Sequence, residues 1–432
     1  MNAHSKKVFF FLSAIMILFC AFRILNGNDR LADSKEYLLT ADFIKNGTYF
    51  HKAQTISEAI TITNRPFVYP SFLLLGFQSD LIIILFQNIL GICNLYLALL
   101  FFQNIGGRTF GFIPILLVLL TPSVFIYTHI IMSEIIVATL LLLIAVTITS
   151  EHSYKNILCV QFLVTILVFT KPVFYLFAFV NVLFWLWYLF KYKKRVALTS
   201  LIPLLLMLGY MRFNEYRTGY FQYSSIQTIN LINYNLFYYK TQHSGIEEAE
   251  RWKDSLTSQS YVFPDYASRS AFLMKAGTSV IMQHPLSYGW FHLSGALRGM
   301  IDPGRFDLTT FTKQENELHG ILYTIHKEGI LAALQKIVLT EHTWLILALM
   351  LILIASIAKY IGIGRYILLH YKSFHSAYVF IAILVCYTIV IAGPLNASRF
   401  MMPLQLILIA FAAASYEERR EGKTKDFLKK QL

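Results

Sequence analysis

From Leu81 to Gln103 the chain runs 23 residues without an Asp, Glu, Lys or Arg. A helix that crosses a bilayer needs about 20 mostly apolar residues. Stretches of the same kind recur at 8–25, 109–127, 131–149, 156–171, 173–190, 197–213, 343–361, 375–393 and 400–416. Charged residues make up only 14% of the chain, where a soluble domain carries roughly a quarter. The sequence therefore predicts an all-α polytopic membrane protein with about ten transmembrane helices.

The charges are sorted between the segments that join these spans. With the N-terminus inside, the inner segments hold 17 basic and 5 acidic residues, including the run Lys191-Tyr192-Lys193-Lys194-Arg195. The two long segments on the other side, 26–80 and 214–342, hold 16 basic and 18 acidic residues together. Positive loops stay in the cytoplasm, so both termini are expected there and both long segments on the non-cytoplasmic face. This pattern accounts for the net charge of +13 through anionic lipid and needs no nucleic-acid partner. It divides the chain into an N-terminal transmembrane module, 1–213, with a first outer loop at 26–80. An outer cap or small helical domain at 214–342, C-terminal transmembrane helices at 343–416 and a cytoplasmic tail at 417–432 follow. An integral protein of a bacterial inner membrane fits this layout. Residues 1–25 have the charged-then-apolar order of a signal peptide. Bulky Phe19 spoils the cleavage pattern before Cys20, and an uncleaved first helix is expected. Cys20, Cys93, Cys159 and Cys386 all sit in apolar blocks and offer neither a disulfide framework nor a CxxC metal pattern.

Within the loops, proline placement predicts a tight turn at Lys171-Pro172. Residues 69–77 are too short to span and are expected at the interface. Helices are predicted at Tyr266–Gln283 and at Leu318–Lys336, the second interrupted at Gly329. Tyr220–Tyr239 reads as an extended or interfacial run.

A few polar residues interrupt this apolar background. Asp33, Tyr37 and Ala41 fall on one helical face at i, i+4 and i+8, although an Asp there equally suits a helix cap. Arg65-Pro66-Phe67-Val68-Tyr69-Pro70 predicts a stiff, extended approach to the next span, holding Arg65 and Tyr69 in fixed directions; a snorkelling Arg is the plainer account. Glu134 opens the fourth span, where an ionisable group is costly; charge compensation with Ser133 as cap also explains it. Lys171 and Arg399 are isolated cations at outer helix ends. They suit a phosphate, for which Arg offers a fork and Lys a point charge. His319 follows Glu315 and Glu317, which leaves a divalent metal open, but no HExxH or comparable spacing exists. Asn46-Gly47-Thr48 and Asn396-Ala397-Ser398 match the glycosylation acceptor pattern.

Taken in order, these residues resemble a family. An acidic loop after the first helix, Arg-Pro-x-x-Tyr-Pro before the second span, Ser133-Glu134, Lys171-Pro172 and Ser398-Arg399-Phe400 with Pro403 resemble the GT-C superfamily of membrane glycosyltransferases. That superfamily includes the protein O-mannosyltransferases and the lipid A aminoarabinose transferases. The likeness covers 1–215 and 343–416 in layout and the first 180 residues in motif. It implies transfer of a sugar from a polyprenyl-phosphate donor to an envelope acceptor on the non-cytoplasmic face. It also implies that Asp33 is the essential acid of the first outer loop. On this basis Asp33 is the expected general base, and Arg399, Lys171 and Arg65 the expected donor-phosphate ligands. Tyr37, Tyr69 and Glu134 would shape the site, and a single displacement would invert the anomeric carbon. The chain has Asp33-Ser34 where the mannosyltransferase branch has Asp-Glu, so donor and acceptor do not carry over by analogy. The metal of some relatives has no clear ligand set here. Two other readings stay open: an O-antigen polymerase or ligase working through Arg298 and Arg305, and a lipid or glycan transporter. Few central charges and no internal repeat weigh against transport.

Overall fold

The computed structural model describes residues 3–27, 30–150, 153–313, 321–340 and 342–416. Among these residues every regular element is a helix. Seven helices are long and apolar enough to cross a membrane: Ala3–Asn26, Asp80–Asn104, Pro172–Tyr192, Arg195–Thr218, Thr343–His370, Ser376–Leu395 and Ser398–Tyr416. Glu134–Thr149 and Tyr154–Thr170 are shorter apolar helices. This is the build of an integral, multi-pass helical protein.

The helices differ from expectation in two places. The stretch 109–127 is two short helices, Phe112–Leu119 and Ser123–Ile126. Pro122 is the cause: it disfavours helix at Thr121, whose hydroxyl instead donates back to Leu117 O at 2.7 Å. The helix Thr343–His370 continues past residue 361. Lys359, counted among the basic residues of the inner segments, lies within this helix, buried and bonded to Gln405.

One large apolar core joins the spans, running from Val8 and Leu12 in the first helix to Ala412 and Ala413 in the last. Close approach needs small residues. A Cβ on Gly91 would press on Met16 and Thr128, so glycine lets the span Asp80–Asn104 pack tightly on the first helix.

The two long polar segments pack on each other. Ala53 N donates to Arg217 O at 2.9 Å, and Ser224 Oγ donates to Asn64 O at 2.6 Å. Arg217 fastens the junction. Its guanidinium lies 4.4 Å from the ring centres of both Tyr49 and Phe213 and donates to Tyr49 O at 2.5 Å. Aromatic faces take the place of a carboxylate in stabilising this buried cation.

The segment after residue 214 is helical and has its own small core. Ile232, Leu236 and Leu256 are buried together, with Trp252 and Phe272 against them. From Ile226 on, Tyr220–Tyr239 is therefore helical and not extended: Ile226–Asn230, a π-helical turn Leu231–Leu236 and Phe237–Ser244 succeed one another. Apolar residues four apart, Ile232 and Leu236, supply the helical face that its tyrosines and asparagines disguise. Tyr266–Gln283 is a helix as predicted, and Gly329, at φ +90°, separates Ile321–Glu328 from Ile330–Thr340. His319, Glu315 and Glu317 lie outside the described residues. Asn396 is buried and donates to Ala296 O at 2.7 Å, so that acceptor pattern is closed to a glycan, while Asn46 is exposed.

Candidate functional site

Five separate segments deliver charge to one point, and the ends of helices do the delivering. Asp33 stands in the first turn of the helix Ala32–Lys45, and Glu134 opens Glu134–Thr149. Both carboxylates thus sit at positive helix termini. Arg65 and Lys171 cap the C-terminal ends of Ile56–Asn64 and Tyr154–Thr170, the ends that favour cations. Each of these two cations precedes a proline, and each has the extended backbone that a following proline imposes, φ −119° at Arg65 and φ −142° at Lys171. Each chain therefore leaves its helix at the residue that bears the charge. Arg399 lies in the first turn of the last span, Ser398–Tyr416.

These groups form one continuous network. Arg399 pairs with Asp33 Oδ2 and, through Nε, donates to Glu134 Oε1 at 2.7 Å. Lys171 Nζ donates to the same Glu134 oxygen at 3.0 Å. Arg65 Nη2 lies 2.9 Å from Asp33 Oδ1 and 2.6 Å from Glu36 Oε2. Three cations thus balance three carboxylates. Burial is graded across the network: the Glu134 side chain is 0% exposed, whereas Asp33 is 25% and Arg399 is 21% exposed. The cluster opens outward at Asp33 and Arg399, and Glu134 is its buried anchor. Burial alone would push the Asp33 carboxyl up. The guanidiniums of Arg399 and Arg65, with Lys171 behind them, outweigh that and hold it at about 2.

Aromatic rings wall the cluster. The Arg65 guanidinium lies 4.6 Å from the Tyr37 ring centre, and Tyr37 meets Tyr69 edge-on at 4.7 Å. Tyr37 OH and Ser133 Oγ are 2.8 Å apart, and Tyr69 OH donates to Gln87 Oε1 at 2.7 Å. Ser133 therefore does not cap its helix with its side chain; it holds Tyr37. Nor is Asp33 a cap: Leu31 occupies that position, and both Asp33 oxygens go to arginines. Phe400 lies 5.2 Å from both Lys171 Nζ and the Arg399 guanidinium carbon. The segment Tyr69-Pro70 is not extended as predicted; it belongs to a short helix, Val68–Leu73, with Pro70 in its first turn, where proline costs little.

Asp33, Arg65, Lys171, Arg399, Glu134, Tyr37 and Tyr69 thus all meet in one place. Glu36 and Asp307 escaped the sequence reading. Glu36 shares Arg65 and sits one turn from Asp33, a spacing that could have found it. Asp302 and Asp307 strap the Arg399 segment from the far side: Ser398 N donates to Asp302 Oδ2 at 2.8 Å and Ser398 Oγ to Asp307 Oδ2 at 2.6 Å. Tyr127 OH donates to Asp307 Oδ1 at 2.7 Å. Burial pushes the Asp307 carboxyl up to about 7, against the pull of these two hydroxyls. No local pattern marks Asp307, because only the fold buries it. Arg298 stands apart, half-buried on the helix Pro285–Ile301. Among the described residues no three His, Cys, Asp or Glu side chains group as metal ligands.

No protein-family model matches the chain, and no curated protein or solved structure is significantly similar to it.

Proposed function

We propose that the chain is a membrane glycosyltransferase. It moves a sugar from a polyprenyl-phosphate donor to an envelope acceptor, lipid, glycan or protein, on the non-cytoplasmic face. The observation that carries this reading is the convergence of Asp33, Arg65, Lys171, Arg399 and Glu134, drawn from five segments, on one partly open cluster. A scaffold has no use for six charges gathered in one partly buried cluster beside apolar helices, where each costs desolvation.

The chemistry follows from the geometry. The donor's prenyl chain stays in lipid while its phosphate reaches the helix ends. Arg399, the more exposed guanidinium with a neighbouring lysine, takes the phosphate oxygens, and Lys171 and Arg65 add charge as the leaving phosphate gains it. At about 2, the Asp33 carboxylate is a weak base while both arginines hold it. A phosphate that draws Arg399 away removes the largest of the charges that hold Asp33 down, and its basicity rises. Donor binding then readies Asp33 to accept the proton of the acceptor hydroxyl. That oxygen attacks the anomeric carbon, the bond to phosphate breaks, and configuration inverts. Glu134, buried between Lys171 and Arg399, accepts from both cations through one oxygen, offsets their mutual repulsion and holds them side by side.

Binding of a short-chain polyprenyl phosphate to the purified protein tests the phosphate site. Arg399→Ala should weaken it by at least tenfold, as loss of a charged hydrogen bond of about 1.5–3 kcal/mol requires. Equal binding by variant and wild type would remove Arg399 from the donor site.

One observation favours transport instead: Lys359 lies buried within a span and bonds to Gln405, a place where transporters keep ionisable groups. Lys359→Met separates the two. Retained substrate movement in vesicles assigns the lysine to packing, and its loss with glycosyl transfer in detergent unaffected supports transport.

A further inference from the structure

The helix Pro285–Ile301 belongs, by sequence, to the long polar segment, yet it exposes a row of large apolar side chains. Leu286, Trp290, Leu293, Leu297 and Ile301 follow one another at three- and four-residue steps and share one face. Leu286 is 88% and Trp290 69% exposed. The opposite face carries Phe291, Gly295, Ala296 and Gly299, all buried. A Cβ at Gly295 would strike the backbone of Pro394, and one at Gly299 would strike Asn396. The helix is thus clamped by its small-residue face, and the apolar row can only look away from the bundle.

What covers that row follows from what the helix is fastened to. His292 Nε2 lies 2.8 Å from Val390 O, and Tyr360 OH donates to Met300 O at 2.8 Å. Val390 belongs to the apolar span Ser376–Leu395, and Tyr360 lies 17 residues into Thr343–His370. Both partners sit within membrane-crossing segments, so the helix is held at their depth. On Thr343–His370, the span that Tyr360 ties to this helix, Leu347, Leu351 and Ile354 are exposed in the same way. An apolar face of this length, free of charge and on a helix fastened to two apolar spans, belongs against lipid.

We propose that Pro285–Ile301 lies in the bilayer, at the boundary of headgroups and acyl chains, with its apolar row against lipid. The segment 214–342 is then a cap anchored in the membrane beside the charge cluster rather than a domain standing in water. This inference does not rest on glycosyl transfer and holds for a transporter as well.

Spin labels decide it in the full-length protein in phosphatidylcholine vesicles, with Cys20, Cys93, Cys159 and Cys386 replaced by alanine. Labels are placed at Leu293→Cys and Leu297→Cys, with Ile354→Cys as the lipid reference and Glu250→Cys as the water reference. Collisions with oxygen should exceed those with a water-soluble nickel chelate at 293 and 297, as at 354, and fall below them at 250. Nickel dominating at 293 and 297 would overturn the proposal, and so would low collision rates with both reagents, which mean a protein cover. Emission from the protein with its native cysteines gives a second reading. In vesicles of dibrominated phosphatidylcholine, the emission lost in Trp290→Phe should be quenched in the wild type. An unquenched Trp290 contradicts the proposal.

Discussion

At the scale of single residues, the cluster depends on charges that cannot be removed one at a time. Glu134 has no exposure and faces Lys171 and Arg399 together. Glu134→Ala leaves the buried Lys171 without its carboxylate and Arg399 with Asp33 alone, and breaking a buried pair from one side costs about 3–5 kcal/mol. Thermal unfolding in detergent should show a loss of that size, and Glu134→Gln a smaller one, because the amide still accepts a hydrogen bond. Asp307 carries a pH signature. Its folded value is raised to about 7, so its contribution is fully present below the ordinary carboxylate range and is lost as pH rises toward 7. The slope is about 1.4 kcal/mol per pH unit across that window and vanishes above it. Asp307→Asn should remove that slope from the unfolding midpoint measured between pH 5 and 8; an unchanged slope would assign the titration elsewhere. Asp33 runs the other way. Its ion pairs stabilise the fold above the ordinary carboxylate range, and that support is lost only as pH falls toward 2. The sequence made Arg399 legible as an isolated charge beside an apolar run, and Asp33 through the helical face it shares with Tyr37 and its place after the first span. It hid Asp307, whose only distinction is the burial that Tyr127 and Ser398 impose from distant segments.

At the scale of elements, prolines place the charges. Arg65 and Lys171 each end a helix because a proline follows, and the extended backbone there turns the side chain off the helix end. Pro66→Ala and Pro172→Ala let the helix run on. Each should cost about 1 kcal/mol or less in stability, mainly through the freer unfolded chain. Yet each should lower transfer by roughly 100-fold, since a shift of about 1 Å in a positioning group has that effect. Normal turnover in both variants would show that the cations need no fixed exit. These prolines were readable, and so was the turn at Lys171. The stretch 109–127 was not, because its hydropathy suits a span while Pro122 divides it. The helices within Tyr220–Tyr239 were hidden for the opposite reason: polar aromatics obscured a helical face that Ile232 and Leu236 complete only against Leu256.

At the scale of the molecule, helices long enough to cross a bilayer meet a polar layer in which both long segments interlock. Apolar runs set the spans, and that part of the architecture was open to reading. The joining of residue 33 to 399 and of 134 to 171 was not, since no periodicity links positions so far apart in sequence. The central claim is that this joint cluster transfers a sugar from a phosphate-linked lipid donor. Mass spectrometry of lipid-linked sugars in cells lacking the chain tests it most directly. A polyprenyl-phosphate sugar should accumulate, return to its ordinary level with the wild-type chain, and stay high with an Asp33→Asn variant present in the membrane at equal amount. No accumulating species, or full clearance by Asp33→Asn, would contradict the account.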